Sequence, residues 1–509
     1  MRALRLVILA AALALPASAS AGTVFLVDGR GWGHGVGMSQ WGAEGAARQG
    51  WDYRRILAHY YPGTTIEAWR PRPVRVLLGR GQAKVRIASP KPYVVVDADG
   101  RKLHLPARAV VLDKRLLLKK RKLVPPLRFT AGAEPLTLGG RGYRGDLVVK
   151  RRPGGLMVVN ELPLDRYLRG VVPWEVPKDW HEATYRAQAV AARSYTLATL
   201  HPGEDFDLLP DQRDQMYGGI EAERPSTNLA IGSTAGEVLT YRGRVITAFY
   251  HSSSGGRTSS VRDAWPKAKQ VPYLVSVRDP FDAISPHHVW PTELLTPEQA
   301  AAKLGVRAVR DMVVLRNSSD RARALRLLTL RGWQDVPAAV VRNRLGLGST
   351  DFQVHAMTLD APERPAVYGG RVALRGWVRG LGVARVQVWT GSGWRVVGQI
   401  HSRADGRFAT SLRASASTRV RLAYNGIPGP EVAVLVAPRV QVASSGTKLS
   451  VRVAPSLPLR IERLTSAKWQ PVARGQGRFA RSLRPGSYRV RVLANGAYTT
   501  AVSAPVGLH

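Results

Sequence analysis

The sequence predicts an α+β chain: a β-rich core up to about residue 360, followed by an all-β part. Three observations carry this. Short alternating runs punctuated by Gly and Pro fill 71–160. One strong helical pattern occupies roughly 180–200. From about 362 the texture turns to strands with frequent turns, and a set of motifs recurs there. At 509 residues the chain exceeds one small module, since domains run to about 100–200 residues. A hydrophobic content of 45% with 7% aromatics excludes wholesale disorder. The absence of cysteine excludes disulfides, thiolate zinc sites, Fe–S clusters and Cys nucleophiles.

Residues 1–21 combine Arg2 and Arg5, an apolar run from Leu6 to Leu15, Pro16, and small residues at Ala17, Ala19 and Ala21. This is the pattern of a cleaved export signal, and the run is too short for a membrane span. Residues 22–70 open on a strand, pass through a Gly-rich loop and continue into two short helices. Asp52 caps the second, whose apolar face is Ile56, Leu57 and Tyr60, and Pro62-Gly63 ends it. Strands are expected at 74–78, 84–87, 93–96, 147–150 and 156–159. The helix at 180–200 starts with Asp179 three residues before Glu182, a capping-box spacing. Its face of Ala187, Val190, Ala191, Ser194 and Ala198 suits close packing. Strands are expected again at 236–250 and 270–278, a helix at 297–305, and alternating strand and helix over 311–356.

In the last part, Trp394, Gly406-Arg407-Phe408 and Asn425-Gly426 recur as Trp469, Gly477-Arg478-Phe479 and Asn495-Gly496. That period predicts two small β-sandwich modules of Ig-like type, 361–437 and 438–509. The chain thus divides into a signal (1–21), a 22–360 region built of 22–70, a basic β-rich 71–155 and a core 156–360, and the two modules. No catalytic constellation stands out in the modules; spacing or adhesion is their default role.

The net charge of +39 is unevenly placed. Residues 71–155 carry 21 basic and 5 acidic residues, 361–509 carry 23 and 4, and 160–260 carry 10 and 13. Such excess first points to nucleic acid. An export signal redirects it towards anionic wall polymers, although a codon bias towards Arg gives the same excess. Lys114-Arg115 and Lys119-Lys120-Arg121-Lys122 flank Leu116 to Leu118. A solvated hairpin tip is the ordinary reading, and a polyanion-docking patch the sharper one.

Three blocks can carry chemistry. Gly31-Trp32-Gly33-His34-Gly35-Val36-Gly37-Met38-Ser39-Gln40 alternates glycines that permit close backbone approach or positive φ. It breaks the dinucleotide-binding glycine pattern in every register, and His34 is open to a structural or a functional role. Glu175 lies among Val172, Pro173, Trp174, Val176 and Pro177. Desolvation by these neighbours would raise its pKa, as a general acid requires, while an exposed surface glutamate is the ordinary alternative. His251-Ser252-Ser253-Ser254-Gly255-Gly256 lacks the G-x-S-x-G nucleophile elbow. Sugar-binding or turn-stabilising polar residues fit it better.

Together these blocks closely resemble the SpoIID/LytB family of bacterial cell-wall proteins. The resemblance is carried by Glu161-Leu-Pro-Leu-Asp165-Arg-Tyr-Leu, Val172-Pro-Trp-Glu175, Ala187 to Tyr195, Gln215-Met-Tyr-Gly-Gly219, Thr247 to Gly256, Gly33 to Gly42 and Tyr60-Tyr-Pro-Gly63, over roughly 22–356. It implies a SpoIID-like core and a sporulation-related or other wall function. Members shown to be enzymes are lytic transglycosylases that cut MurNAc–GlcNAc glycan strands of peptidoglycan, preferably stripped of peptides. Others modify wall amidases. The resemblance puts the catalytic glutamate on Glu175. Substrate contacts fall on Arg193, Tyr195, Gln188, Tyr217, His251, Ser252, Ser253, Ser254, His34, Ser39 and Gln40. The implied partners are glycan strands, anionic wall polymers and an N-acetylmuramoyl-L-alanine amidase, with no nucleic acid, no transmembrane segment, and an exported location.

Two departures matter. The Gly-His-Gly block usually follows the 345–350 region but here stands near the N-terminus, as in a circular permutation. Residues 23–65 are therefore expected to dock on 160–356 and bring His34 towards Glu175. Some members hold zinc through Cys and His just before the Gln-x-Tyr-Gly segment. Leu208 to Gln215 contains neither, so no metal or other cofactor is expected, and His251 alone cannot make a zinc site.

Overall fold

The computed structural model describes residues 22–70, 72–201, 205–402 and 405–509; the export signal read over 1–21 lies outside them. Strands dominate, with helices concentrated between 40 and 345. The basic 71–155 segment contributes to a six-stranded sheet in the order Pro73–Gln82, Gly155–Pro163, Asp146–Arg152, Leu127–Thr130, Tyr93–Val96, Lys102–Leu105. In the strand Lys84–Ala88 of a neighbouring four-stranded sheet, Val85 and Ile87 are buried and Lys84 and Arg86 are exposed. The two-residue side-chain period thus places the positive charge outside. Among the described residues, the 71–155 segment shares its core with the segment that follows. Val74, Ile87, Phe129 and Leu147 pack in one cluster with Tyr167, Val172, Tyr185 and Ala192. The Lys/Arg run forms a hairpin, Leu117–Leu118 against Arg121–Lys122, with Lys119 and Lys120 at positive φ in its tip.

The long helix spans Glu182–Thr199. Its cap differs from the expected one: His181 is the N-cap, its Nδ1 accepting from the Ala183 N–H at 3.2 Å. Asp179 instead sits in a left-handed turn at φ 63°, a conformation that a short polar side chain tolerates. Ala187, Val190 and Ala191 pack as the spacing predicts, whereas Ala198 is exposed. In the smaller second helix, Tyr53–Tyr60, Asp52 caps as expected, accepting from the Arg55 N–H at 2.8 Å. The strand expected at 270–278 is absent; the segment holds turns and a single bridge, Arg257 to Arg278. Its backbone is tied by isolated bonds: the Thr258 N–H donates to the Val277 carbonyl at 3.0 Å, and Thr258 Oγ1 accepts from the Val277 N–H at 2.9 Å.

The N-terminal block docks. Val36, Met38, Ala43, Ala46, Ala47 and Ile56 share a core with Ala187, Val190 and Ala191 of the long helix and with Leu239 and Ala248. Met38–Ser39 pairs in parallel with Tyr250–His251. Gly37 makes this approach possible: it has φ 72°, and a Cβ there would fall 1.9 Å from the Phe249 carbonyl oxygen. Gly22–Arg30 pairs along its length with Asp351–Leu359.

That pairing begins a five-stranded sheet, Val289–Leu295, Gly22–Arg30, Asp351–Leu359, Arg371–Arg379, Arg407–Arg413, which runs unbroken across residues 360–361. A second sheet, Trp394–Ile400, Ala384–Trp389, Thr418–Tyr424, Ile427–Val434, faces it. The core between them joins Leu26, Met357 and Leu359 to Val372, Val386 and Leu422. Beyond residue 438 an eight-stranded sheet closes over Leu449, Ile461, Phe479, Tyr488 and Val490. The repeated Gly-Arg-Phe motifs play equal parts: Gly406 and Gly477 have positive φ, and Phe408 and Phe479 enter the cores. Asn425-Gly426 forms a turn with both residues at positive φ, whereas Asn495 caps its own turn by accepting from the Ala497 and Tyr498 N–H groups.

Candidate active site

Glu175 ends a one-turn helix, Val172–Glu175, with Pro173 in its first turn. Val172, Pro173 and Val176 are buried, Trp174 is 60% exposed, and Glu175 is half-buried between them. Burial pushes the Glu175 carboxyl up from 4.5 to about 7, partly opposed by hydrogen bonds from the Gln40 side chain, the Met216 backbone and Tyr250. Desolvation therefore outweighs hydrogen bonding. Gln40, in the N-terminal block, is buried, and its Nε2 lies 3.5 Å from Gln188 Oε1 on the long helix. Tyr250 donates to Gln215 Oε1 at 2.8 Å, and Gln215 Nε2 donates to Thr196 Oγ1 at 2.7 Å. A tyrosine hydroxyl has one proton and can also accept. Turned to Gln215, Tyr250 can accept from protonated Glu175; turned to Glu175, it stabilises the carboxylate. Tyr195 packs on Phe249 and Tyr250, with ring centroids at 5.6 and 6.3 Å, and its pKa is raised by burial and then by the Asp214 and Glu175 charges.

The Ser-His loop is anchored beneath the surface. Asp282 accepts from Ser39 Oγ and Ser253 Oγ at 2.8 Å, from the Ser254 and Gly255 N–H groups at 2.9 and 3.0 Å, and lies 3.0 Å from His288 Nδ1. Asp279 accepts from Ser254 Oγ at 2.7 Å and Tyr60 Oη at 2.8 Å. Its carboxyl is pushed up to about 7, by burial and then by the Asp282 charge. Buried Arg321 donates to the carbonyls of Ser254 and Arg257 at 2.6 and 2.9 Å. Ser39, Ser253 and Ser254 thus act as internal struts; Ser252 is half-buried.

His34 Nδ1 accepts from the Val36 N–H at 3.0 Å, which leaves the proton on Nε2 in the neutral ring. The ring bonds the Tyr250 backbone, and burial, then Arg342, lowers its pKa to about 4. His34 therefore meets the backbone of Tyr250, and Gln40 is the residue of the block that reaches Glu175. His251 bonds the Val36 carbonyl at 3.2 Å, and its Nε2 is buried without a partner. Arg193, 2% exposed, donates to Asp165 at 2.8 Å and to the carbonyls of Glu237 and Ile231. Tyr217 donates to Asn160 at 2.8 Å. Both side chains are occupied in holding the fold.

Gln40, Gln188 and Tyr195 are thus gathered with Glu175, while Ser39, Ser253, Ser254, Arg193 and Tyr217 brace the frame. Tyr250, Gln215, Asp279, Asp282 and Arg321 were not singled out from the sequence. Tyr250 and Gln215 lie within motifs quoted there, but nothing local marks either as a partner of Glu175. Among the described residues, no three His, Cys, Asp or Glu side chains cluster so as to hold a metal ion.

This geometry defines a half-buried carboxyl site on a β-rich scaffold. The family profile described as Stage II sporulation protein (SpoIID) matches residues 152–241. The chain carries a SpoIID/LytB family domain. It is 40% identical over 116 residues to the amidase enhancer of Bacillus subtilis, covering 23% of this chain and 15% of that protein. It is 28% identical over 258 residues to the stage II sporulation protein D of Bacillus amyloliquefaciens, covering 46% and 70%. An uncharacterized protein of Brachyspira hyodysenteriae is 35% identical over 144 residues, covering 28% and 39%. The chain thus spans well under half of two of these relatives. A titin Z1Z2 tandem covers 28% of the chain at 14% identity and a TM-score of 0.13, too slight a likeness to define the type of the C-terminal modules. No described helix is long and apolar enough to cross a membrane.

Proposed function

We propose that this protein is an exported lytic transglycosylase of peptidoglycan glycan strands, with Glu175 as its single acid/base. The observation that carries the reading is the half-buried Glu175 carboxyl, framed by buried Val172, Pro173 and Val176 and pushed up to about 7 by that burial. A group with that pKa is substantially protonated near neutrality and can donate to the glycosidic oxygen. As the C1–O4 bond breaks, the C6 hydroxyl oxygen of the same MurNAc attacks C1, and the Glu175 carboxylate takes the hydroxyl proton. The products are a 1,6-anhydro end and a free 4-hydroxyl, with no water consumed. An ordinary glycosidase needs two carboxylates; intramolecular attack needs one.

The permuted placement of the N-terminal block belongs to this reading, because it delivers Gln40 to Glu175. Ig-like modules at 361–437 and 438–509 would hold the enzyme at the wall. The test is digestion of purified, peptide-free glycan strands, scored for 1,6-anhydroMurNAc ends. Wild type is expected to make them and Glu175→Gln to make none. Equal activity in both would refute the assignment. The identity to a protein named amidase enhancer favours a second reading, non-catalytic modification of a wall amidase. Stimulation of an amidase by Glu175→Gln, with no anhydro ends from wild type, would select it.

A further inference from the structure

The two C-terminal modules repeat a surface device as well as a core. In the first, Trp394 lies on the exposed strand Trp394–Ile400, Gln387 on the neighbouring strand Ala384–Trp389, and Arg421 on Thr418–Tyr424. The Arg421 guanidinium sits 4.2 Å from the Trp394 ring centroid and donates to Gln387 Oε1 at 2.7 Å. In the second, Trp469 lies on Lys468–Gln476, Glu462 on Pro458–Thr465 and Arg489 on Gly486–Val492. Arg489 sits 4.5 Å from the Trp469 centroid and donates to Glu462 at 2.6 Å.

The correspondence is positional. Gln387 and Trp394 are seven residues apart, as are Glu462 and Trp469. Gln387 faces Arg421 across its ladder, and Glu462 faces Arg489. The strand pairing shifts register at the same point, between Val386 and Gln387 and between Ile461 and Glu462. A bulge re-aims the side chains beside it, so both modules turn the same three positions onto one outer face. Folding the sandwich does not demand this, because the cores are filled by other residues.

The net charge of the two faces matches as well, although the carboxylate stands at different positions. In the first module Arg419, stacked 4.7 Å from Trp389, pairs with Glu431 at 3.1 Å, while Arg421 meets only a neutral amide. In the second, Arg489 and Arg491 share Glu462. Each face therefore carries two arginines and one carboxylate. Exposed Val397 and Val472 extend each tryptophan's strand. A rigid indole offers a flat apolar surface for a sugar ring, and an uncompensated guanidinium matches a carboxylate.

We propose that these faces are two equivalent binding sites for an acidic glycan, each stacking a sugar on Trp394 or Trp469 and pairing its carboxylate with the adjacent arginines. Two sites on one chain make the second engagement intramolecular, so affinity rises for strands long enough to span both. The choice of probe rests on the wall-glycan reading above; the binding measurement does not depend on cleavage.

Equilibrium binding is measured on the full chain carrying Glu175→Gln. The probes are peptide-free glycan strands with free lactyl carboxylates, uncharged chitin oligosaccharides of equal length, and polyglutamate. Strands are expected to bind about tenfold or more tighter than chitin. Trp394→Ala with Trp469→Ala should lose about tenfold or more in affinity, each single variant less, and Trp394→Phe with Trp469→Phe should retain part of it. Arg421→Gln with Arg489→Gln should abolish the preference for strands over chitin. Unchanged strand binding by the double Trp variant, with its unfolding transition intact, would overturn the proposal. So would equal binding of chitin and strands by the unsubstituted faces, or polyglutamate competing as well as strands. Failure of glycan cleavage, with this pattern of binding intact, would count against Glu175 chemistry alone.

Discussion

Glu175→Gln should change stability in a pH-dependent way, because it removes a titrating group from a desolvated place. The folded protein raises this carboxyl from 4.5 to about 7. A raised carboxyl pKa means that the folded state holds the proton more tightly than the unfolded state. Below pH 4.5 both states are protonated and burial of the carboxyl carries no ionic penalty. As pH rises from 4.5 through 7, the unfolded state ionises first and wild-type stability falls; above about 7 the whole penalty is present. A shift of roughly 2.5 units at about 1.36 kcal/mol each amounts to about 3 kcal/mol, and residual water contact at the half-buried side chain makes this an upper figure. Glutamine does not titrate, and other groups, Asp279 included, cancel between the two proteins. Urea unfolding of both at pH 4 and pH 8 measures it. The advantage of Glu175→Gln over wild type should grow by up to about 3 kcal/mol between those pH values. Parallel stability curves would refute the claim that Glu175 is held in a desolvating frame.

Other outcomes follow from the same contacts. Gln40→Ala removes a hydrogen bond that favours the ionised carboxyl, so the Glu175 pKa should rise above its wild-type value, measured by carbon NMR of labelled glutamate; a fall would contradict the placement of Gln40. Asp282→Ala leaves two serine hydroxyls, the Gly255 N–H and His288 without this acceptor, while the Ser254 N–H keeps Ser39 Oγ at 3.2 Å. At ~1–3 kcal/mol for each buried polar group left unpaired, urea unfolding should show a loss of at least about 4 kcal/mol, and a loss under about 1 would show that the network is dispensable. Gly37→Ala places a Cβ 1.9 Å from the Phe249 carbonyl at φ 72°. It should cost roughly 3 kcal/mol or more and expose the 22–65 block to limited proteolysis; wild-type resistance would mean that the block docks otherwise.

The parts legible in the sequence were those written in local patterns. The small-residue face Ala187, Val190, Ala191 announced close helix packing, and the Asp52 cap followed from its position before an apolar helical repeat. The apolar frame of Glu175 was readable because its walls, Val172, Pro173 and Val176, are sequence neighbours. The 70–75-residue recurrence pointed to paired motifs, and Phe408 and Phe479 of those motifs each enter a core. What stayed hidden was long-range. The cap at His181 displaced Asp179 because the preceding turn needs a left-handed residue. The Asp279 and Asp282 supports lie about 25–30 residues beyond the loop they hold and over 200 beyond Ser39, with no periodicity to link them. Tyr250 looked like a strand residue until the parallel pairing with Met38–Ser39 set it beside Glu175. The sheet running through 360–361 could not be foreseen either, since strand partnership across a texture change leaves no local mark.

The most direct test of the central claim is the pH dependence of kcat/KM for anhydro-end formation on peptide-free glycan strands. A single carboxylic acid that must be protonated to act gives a rate that is level at low pH and falls tenfold per unit above its pKa. With Glu175 raised to about 7, the fall should begin near pH 7 and move upward in Gln40→Ala. A fall beginning near pH 4.5, or a profile that Gln40→Ala leaves in place, would contradict the account.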